Sequence, residues 1–231
     1  MTGLWIALAA ILLAGALAAV VLGLRRRAAA GRATATVSNL ADSTGLDEVT
    51  GAVRSLQTAD LLLQEQALRE IWSPMYLERL ARTYWRFLSR VTLGLIRVHY
   101  TESERSVVLL IAPLKLLTFQ APEYELSPTR GLVRWRIERG LLVARRGRGG
   151  GGYLQIEVCR TPAEDPALAR LHVEVEVESY YPSIASRLGR PLYELTQSRI
   201  HVLVTHGFLR SLARLDLAES RVRRLAPPDR A

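Results

Sequence analysis

Apolar and polar positions divide the chain into an uncharged start, a segment with helical periodicity and a later segment with strand periodicity. Residues 3–24 form one apolar run without a charged side chain. A helix of that length spans about 33 Å, close to the roughly 30 Å hydrocarbon core of a bilayer. The run therefore predicts a transmembrane anchor, with its basic flank, over residues 1–27.

The charges around this run predict its orientation. Arg25, Arg26 and Arg27 follow it directly, and the positive-inside bias places them in the cytoplasm. A cleaved signal peptide is the alternative, but it needs a basic segment before the apolar run, where only Met1 and Thr2 stand. We expect a single-pass protein of the bacterial inner (plasma) membrane whose remaining residues are cytoplasmic.

Two helices are predicted after a flexible linker over residues 28–44, which shows no sustained period. Residues 46–72 carry apolar side chains at roughly helical spacing, namely Val49, Val53, Leu56, Leu63, Ala67 and Ile71. Ser73 and Pro74 suit a helix N-cap and the first helical position, so a second helix is expected over residues 74–95.

The second helix is strongly amphipathic. Its apolar stripe consists of Leu77, Leu80, Ala81, Tyr84, Leu88, Val91 and Leu95. Its opposite face carries Arg79, Arg82, Arg86 and Arg90. This face is either simply solvated or a membrane surface that contacts the anionic leaflet.

From residue 96 the period becomes two, which indicates an antiparallel sheet of about six or seven strands. The expected strands are 96–101, 106–111, 123–126, 131–138, 141–145, 153–160 and 171–179. Alternation gives one apolar face, which contains Val133, Trp135, Ile137, Leu154, Ile156, Val158, Val173, Val175 and Val177. Charged residues make up the other face, as expected when only one side of a sheet is covered. A long helix over residues 190–217 should pack on the apolar face, before a disordered basic tail over residues 218–231.

This α+β order of elements over residues 74–217 resembles the helix-grip fold of the START and polyketide-cyclase (SRPBCC) superfamily. The likeness also rests on the segment Glu178-Ser-Tyr-Tyr-Pro-Ser-Ile before the last helix. It implies an apolar ligand, such as a lipid, between the sheet and that helix. Members usually begin with a strand before their helices, and none is predicted here before Leu46.

The expected ligand-binding residues are those that the last helix and the sheet would turn towards such a cavity: Trp135, Tyr193, Gln197, His201, Val204 and Phe208. The alternative is that Gln197 and His201 lie at the helix edge and contact water. His201 and His206 are five residues apart, so they do not form the pair that a metal would use, and no metal is expected.

The net charge of +9 raises nucleic acid or membrane as a partner. Only one of the 31 basic residues is lysine, which is typical of a GC-rich coding sequence, so the charge is either functional or a consequence of composition. The loop with Arg145, Arg146 and Arg148 leads into a strand and lacks the Lys-Ser or Lys-Thr of a nucleotide-binding loop. It is expected to be a flexible connection or a membrane surface, and nucleic acid is an unlikely partner.

The sequence leaves three functions open. The first is a membrane-anchored cytosolic domain that binds an apolar small molecule or lipid. The second is a membrane-anchored scaffold with a filled core that recruits a protein. The third is a cyclase-like enzyme in which His201 acts with Tyr193 or Gln197, although no catalytic motif is present and no cofactor is expected.

Overall fold

The structure is a computed structural model that describes residues 35–47, 49–109, 114–149, 151–183, 204, 205 and 207–209. The predicted anchor, most of the predicted last helix and the predicted tail lie outside these residues. In the part of the chain that is described, the helices are not long and apolar enough to cross a membrane.

Within these ranges, nine strands form one antiparallel sheet, which confirms the α+β class. In chain order the elements are β1 (Ala35–Leu46), β2 (Val53–Gln64), α1 (Glu65–Ile71), α2 (Pro74–Val91), β3 (Ile96–Tyr100), β4 (Glu104–Leu109), β5 (Lys115–Gln120), β6 (Glu123–Leu126), β7 (Arg130–Arg139), a 3-10 turn (Arg145–Gly147), β8 (Gly152–Pro162) and β9 (Leu168–Tyr180). Their order across the sheet is β1-β2-β9-β8-β7-β5-β4-β3, and β6 also pairs with β7. Residues 204, 205 and 207–209 are helical and fall within the predicted last helix.

The predicted apolar face of the sheet is buried. Trp135, Ile156 and Val173 are almost fully excluded from water, and the face packs against α2. The opposite face carries ion pairs and polar contacts between neighbouring strands. Arg130 on β7 contacts Glu157 on β8 at 2.7 Å, and Arg134 donates to Gln155 at 2.8 Å. Half-exposed pairs of this kind help to fix register and add tenths of a kcal/mol each, roughly.

Helix α2 begins where the sequence predicts. The Ser73 hydroxyl accepts from the backbone N–H of Tyr76 at 3.3 Å, and Pro74 is the first helical residue. The helix ends at Val91 rather than at residue 95. Leu93 and Gly94 both have positive φ and turn the chain into β3.

The predicted helix over residues 46–72 is wrong, because most of this segment forms β2 and a short α1. Alternate residues of β2 are buried, but three of them are Ser55, Gln57 and Ala59 rather than large apolar residues. Because these side chains are small or polar, the sequence does not show the apolar period of two that indicates a strand. Leucines on both faces of the strand give a spacing that resembles that of a helix. Pairing with β9 along the whole of β2 overrides that local pattern.

Two further predictions are wrong for related reasons. The linker expected over residues 28–44 overlaps β1, a strand of small polar residues that is mostly exposed. Residues 141–145 are not a strand but contain an isolated bridge from Val143 to Pro182 and the start of the 3-10 turn. The sequence does not predict strand β5. The pairing of β4 with β5 shifts between Val107 and Val108, and the adjacent Leu116 and Leu117 are both partly buried. Strict alternation is therefore absent from this strand.

A cluster of polar side chains, Asn39, Asp60, His172 and Glu174, links β1 and β9 to β2. Asp60 accepts from Asn39 at 2.6 Å and lies 2.7 Å from Nδ1 of His172, whose Nε2 lies 3.1 Å from Glu174. The hydrogen bond with Asp60 raises the pKa of His172 above its usual value. The same bond, with that from Asn39, lowers the pKa of the Asp60 carboxyl. Asn39 has positive φ and lies in a bulge between Ser38 and Ala41.

This cluster predicts a dependence of stability on pH. Because the folded-state pKa of His172 lies above the unfolded value, its stabilisation is complete below about pH 6.5 and is lost as the pH rises through the folded-state pKa. The thermal midpoint of the full-length protein should therefore contain a component that falls as the pH rises above about 6.5. His172→Gln should remove this component, whereas His99→Gln, on the exposed part of β3, should retain it. An identical pH dependence in the His172 variant and the parent would contradict the assignment.

A second prediction concerns the turn after β7. Gly140 has a φ of +147°, and a Cβ there would lie 2.2 Å from the backbone oxygen of Leu116. Gly140→Ala should lower the free energy of unfolding by at least about 2 kcal/mol, measured by denaturant titration. Gly45→Ala is the matched control, since nothing lies within 4 Å of its added Cβ. It should change stability by less than about 0.5 kcal/mol.

Candidate ligand cavity

A cavity of about 150 Å³ lies between the apolar face of the sheet and α2. Every strand except β1 and β6 contributes to it, together with α2, Leu142 and Val204 of the C-terminal helical segment. Its described lining consists of Val53, Ser55, Tyr84, Trp85, Leu88, Ile96, Val107, Leu116, Leu117, Phe119, Ile137, Leu142, Leu154, Val177, Tyr180 and Val204.

The lining is almost wholly apolar, and most of its polar groups have partners. The Ser55 hydroxyl lies 2.8 Å from that of Thr44 and accepts from Gln57 at 2.8 Å. The Tyr180 hydroxyl donates to the backbone oxygen of Leu142 at 2.7 Å. Burial raises the pKa of Tyr84 well above its usual value, so its hydroxyl stays neutral. In the described part, the lining contains no charged side chain.

One end of the sheet contains the partly exposed part of this lining. Antiparallel pairing brings together the β1–β2 turn, the α2–β3 turn, the start of β5 and the β7–β8 connection, and we call this the loop end. Leu116, Leu142 and Val177 lie near it and are only partly buried. The cavity therefore approaches the solvent at the loop end.

An aromatic cluster lies beside the cavity and contributes three rings to its lining, those of Tyr84, Trp85 and Phe119. Trp85 on α2 packs edge-to-face against Trp135 on β7, with ring centroids 5.2 Å apart, and its ring lies 5.3 Å from Phe119. Tyr84 contacts Phe208 in the same manner at 5.6 Å. Such pairs add about 0.5–1.5 kcal/mol each beyond the burial of their surface.

The structure describes three of the six predicted ligand-binding residues. Val204 lines the cavity. Trp135 and Phe208 are buried in the aromatic cluster, next to the described lining rather than within it. Tyr193, Gln197 and His201 lie outside the described residues, so their roles stay predictions.

Several lining residues come from segments that the sequence did not connect with a cavity. Trp85 is the clearest case. It is next to Arg86 in the sequence and lies outside the predicted apolar stripe, yet it is buried. The sequence pattern predicts a helix, rather than β2, at Val53 and Ser55. The pairing of β2 with β9, which brings them to the sheet, joins segments more than 100 residues apart.

The seven arginines predicted for a membrane surface differ in accessibility. Arg145, Arg146 and Arg148 are exposed at the loop end, and the guanidinium of Arg146 lies over the ring of Tyr181 at 5.2 Å. On α2, Arg90 is exposed, whereas Arg79 and Arg86 are half-buried. Arg82 contacts Glu78 at 3.5 Å and stacks over the ring of Tyr100, so only 19% of its side chain is exposed.

A metal site is not present among the residues that the structure describes, since no three His, Cys, Asp or Glu side chains group suitably there. Cys159 donates to Glu157 at 3.3 Å on the polar side of β8, and burial raises the pKa of its thiol.

Comparison with solved structures finds StAR-related lipid transfer proteins among its matches, at low identity. Human StAR-related lipid transfer protein 5 is 12% identical with a TM-score of 0.34, covering 89% of this chain and 96% of its own. A StAR-related lipid transfer protein of Xanthomonas axonopodis is 13% identical with a TM-score of 0.31, covering 75% and 98%. A conserved protein of Geobacillus kaustophilus is 11% identical with a TM-score of 0.30, covering 71% and 97%.

No model of a known protein family matches this sequence, and no curated protein matches it.

Proposed function

We propose that this chain is a single-pass, membrane-anchored cytosolic domain that binds a small apolar molecule, or the apolar end of a lipid, in the cavity between its sheet and its helices. The observation that carries this proposal is an apolar cavity of about 150 Å³ inside an otherwise closely packed core. Protein interiors contain few voids larger than a water molecule, so an apolar space of this size is notable.

The cavity volume limits what can enter. A dry apolar cavity of roughly 150 Å³ accommodates a molecule of the size of benzene, whereas drug-sized ligands occupy roughly 300–1,000 Å³. The ligand is therefore a small ring compound or the terminal part of a longer chain. A longer molecule would leave its remaining length outside, at the loop end, where the partly exposed lining residues lie.

The proposed anchor agrees with an apolar ligand, because the bilayer is where such molecules accumulate. Nine residues lie between Arg25 and β1, and the ten steps along the chain from Arg25 to Ala35 can extend over at most about 35 Å. Strand β1 begins at the end of the sheet opposite the loop end, and its 12 residues span roughly 40 Å. The loop end can reach the same bilayer only if the strands lean towards the membrane.

The loop end is the better of the two proposed membrane surfaces. It contains the three most exposed large apolar residues in the described ranges: Val49 is 93% exposed, Leu93 61% and Leu141 58%. The exposed arginines of the β7–β8 connection adjoin them, and apolar residues among basic ones suit an anionic interface. The Asp47 carboxylate at this end is occupied by the backbone N–H groups of Val49 and Thr50.

A scaffold with a filled core is the second candidate. The aromatic cluster around Trp85 and Trp135 favours it, because these rings already occupy much of the space between α2 and the sheet. The proposals differ in whether the remaining space admits a ligand.

Toluene binding tests the proposed function. Toluene should raise the thermal midpoint of the full-length protein in lipid nanodiscs, because binding to the folded state alone stabilises it by mass action. Leu142→Trp should reduce the apparent affinity about tenfold or more, because the indole occupies the cavity. Headspace measurement fixes the toluene activity independently of its partition into lipid.

Leu141→Trp provides the matched control, since this neighbouring side chain is exposed and lies outside the lining. It should bind toluene like the parent. If the parent midpoint does not respond to toluene, the filled scaffold is correct and the proposed function is not.

A second prediction tests the loop end. An environment-sensitive fluorophore on Val49→Cys, in a chain with Cys159→Ser, should shift to the blue in nanodiscs that contain anionic lipid. Arg148→Glu should weaken this shift, because each basic residue near an anionic surface adds about 1 kcal/mol. Arg170→Glu, an exposed arginine at the opposite end of the sheet, is the control and should leave the shift unchanged. An equal shift from a fluorophore on Glu164→Cys, at that opposite end, would refute the proposed orientation.

A further inference from the structure

We infer that the cavity selects an apolar ligand that carries a neutral hydrogen-bond acceptor, such as a ketone, ester or ether oxygen, and that this atom accepts from the indole N–H of Trp85. The inference rests on the proposed function and specifies its ligand class. Its basis is one buried polar atom, on a side chain that lines the cavity, that has no acceptor in the described part of the chain.

Trp85 lies at the middle of α2 and is only 4% exposed, and its side chain lines the cavity. Its Nε1 is buried and has no hydrogen-bond acceptor within the described part of the chain. An indole N–H can only donate, and a buried donor without an acceptor is costly, so buried tryptophans usually have a partner. Trp72 shows the usual arrangement, since its Nε1 donates to the backbone oxygen of Ser127 at 3.0 Å.

Trp85 differs in this respect from the other polar residues of the lining. Ser55 already contacts Thr44 and Gln57, and Tyr180 donates to Leu142. Among the described lining residues, Trp85 alone has a buried polar atom that lacks a partner. A ligand whose acceptor reaches Nε1 of Trp85 would therefore satisfy a donor whose hydrogen-bonding capacity is unused.

The rest of the lining determines what else the ligand can carry. A carboxylate or phosphate inside the cavity would lose its hydration and would find no charged partner in the described lining. Any ionised group of the ligand must therefore stay outside, at the loop end. The class that fits is a neutral, mainly apolar group of about the size of a substituted benzene ring, with one oxygen acceptor.

Two probes of nearly equal shape test this inference. Acetophenone has a carbonyl group where ethylbenzene has a methylene group. With full-length protein in nanodiscs and ligand activities fixed by headspace measurement, acetophenone should bind about 3–10-fold more tightly than ethylbenzene. Trp85→Phe should abolish this preference and retain the binding of ethylbenzene. Trp72→Phe, which makes the same change outside the lining, should keep the preference.

A spectroscopic measurement needs no variant at Trp85. The chain has four tryptophans, and with ¹⁵N-labelled tryptophan one of the four indole N–H resonances should move downfield with acetophenone and stay in place with ethylbenzene. Equal affinities for the two probes, together with unmoved indole resonances, would overturn the inference while leaving the proposed function intact. Failure of both probes to bind would overturn the proposed function, and this inference with it.

Discussion

The apolar face of the central strands must be kept from water, and the rest of the fold depends on this constraint. Strands β9, β8 and β7 present one apolar and one polar face, so a cover is needed on one side only. Helix α2 supplies much of it through an apolar stripe that Ser73 and Pro74 start at a defined residue. The contact between the apolar faces of α2 and the sheet fixes the position of α2 over β7. It thereby also fixes the position of Trp85 beside the cavity.

The aromatic cluster explains how a closely packed domain can retain an empty space. Trp85 and Trp135 meet edge-to-face, and their rings are large and rigid. Two rings in contact fix the local distance between α2 and the sheet. Smaller side chains beside them, such as Val107 and Leu154, do not fill that distance. The cavity is therefore a consequence of rings and aliphatic side chains lining one interface, and it is bounded by the same contacts that stabilise the core.

The sequence predicts some parts of this fold well, for physical reasons that particular residues show. Helix α2 and the apolar face of β7, β8 and β9 follow from periodicity alone, because large apolar residues stand at nearly every buried position. Periodicity does not reveal strand β2, because its buried positions include the polar residues Ser55 and Gln57. Their neighbours across the sheet lie on β1 and β9, far away in the sequence. The cavity was expected from the resemblance of element order, but its lining depends on long-range pairing and on the bulge near β5, which periodicity does not report.

The bulge in β1 has a consequence for how copies of this protein behave towards one another. Strand β1 forms an edge of the sheet, and an unbroken edge of 12 residues would offer a row of unpaired N–H and C=O groups to the same strand of another copy. Asn39, with its positive φ, interrupts the regular spacing of these groups in the middle of the strand. A distorted edge keeps collisions between copies from becoming a continuous intermolecular sheet.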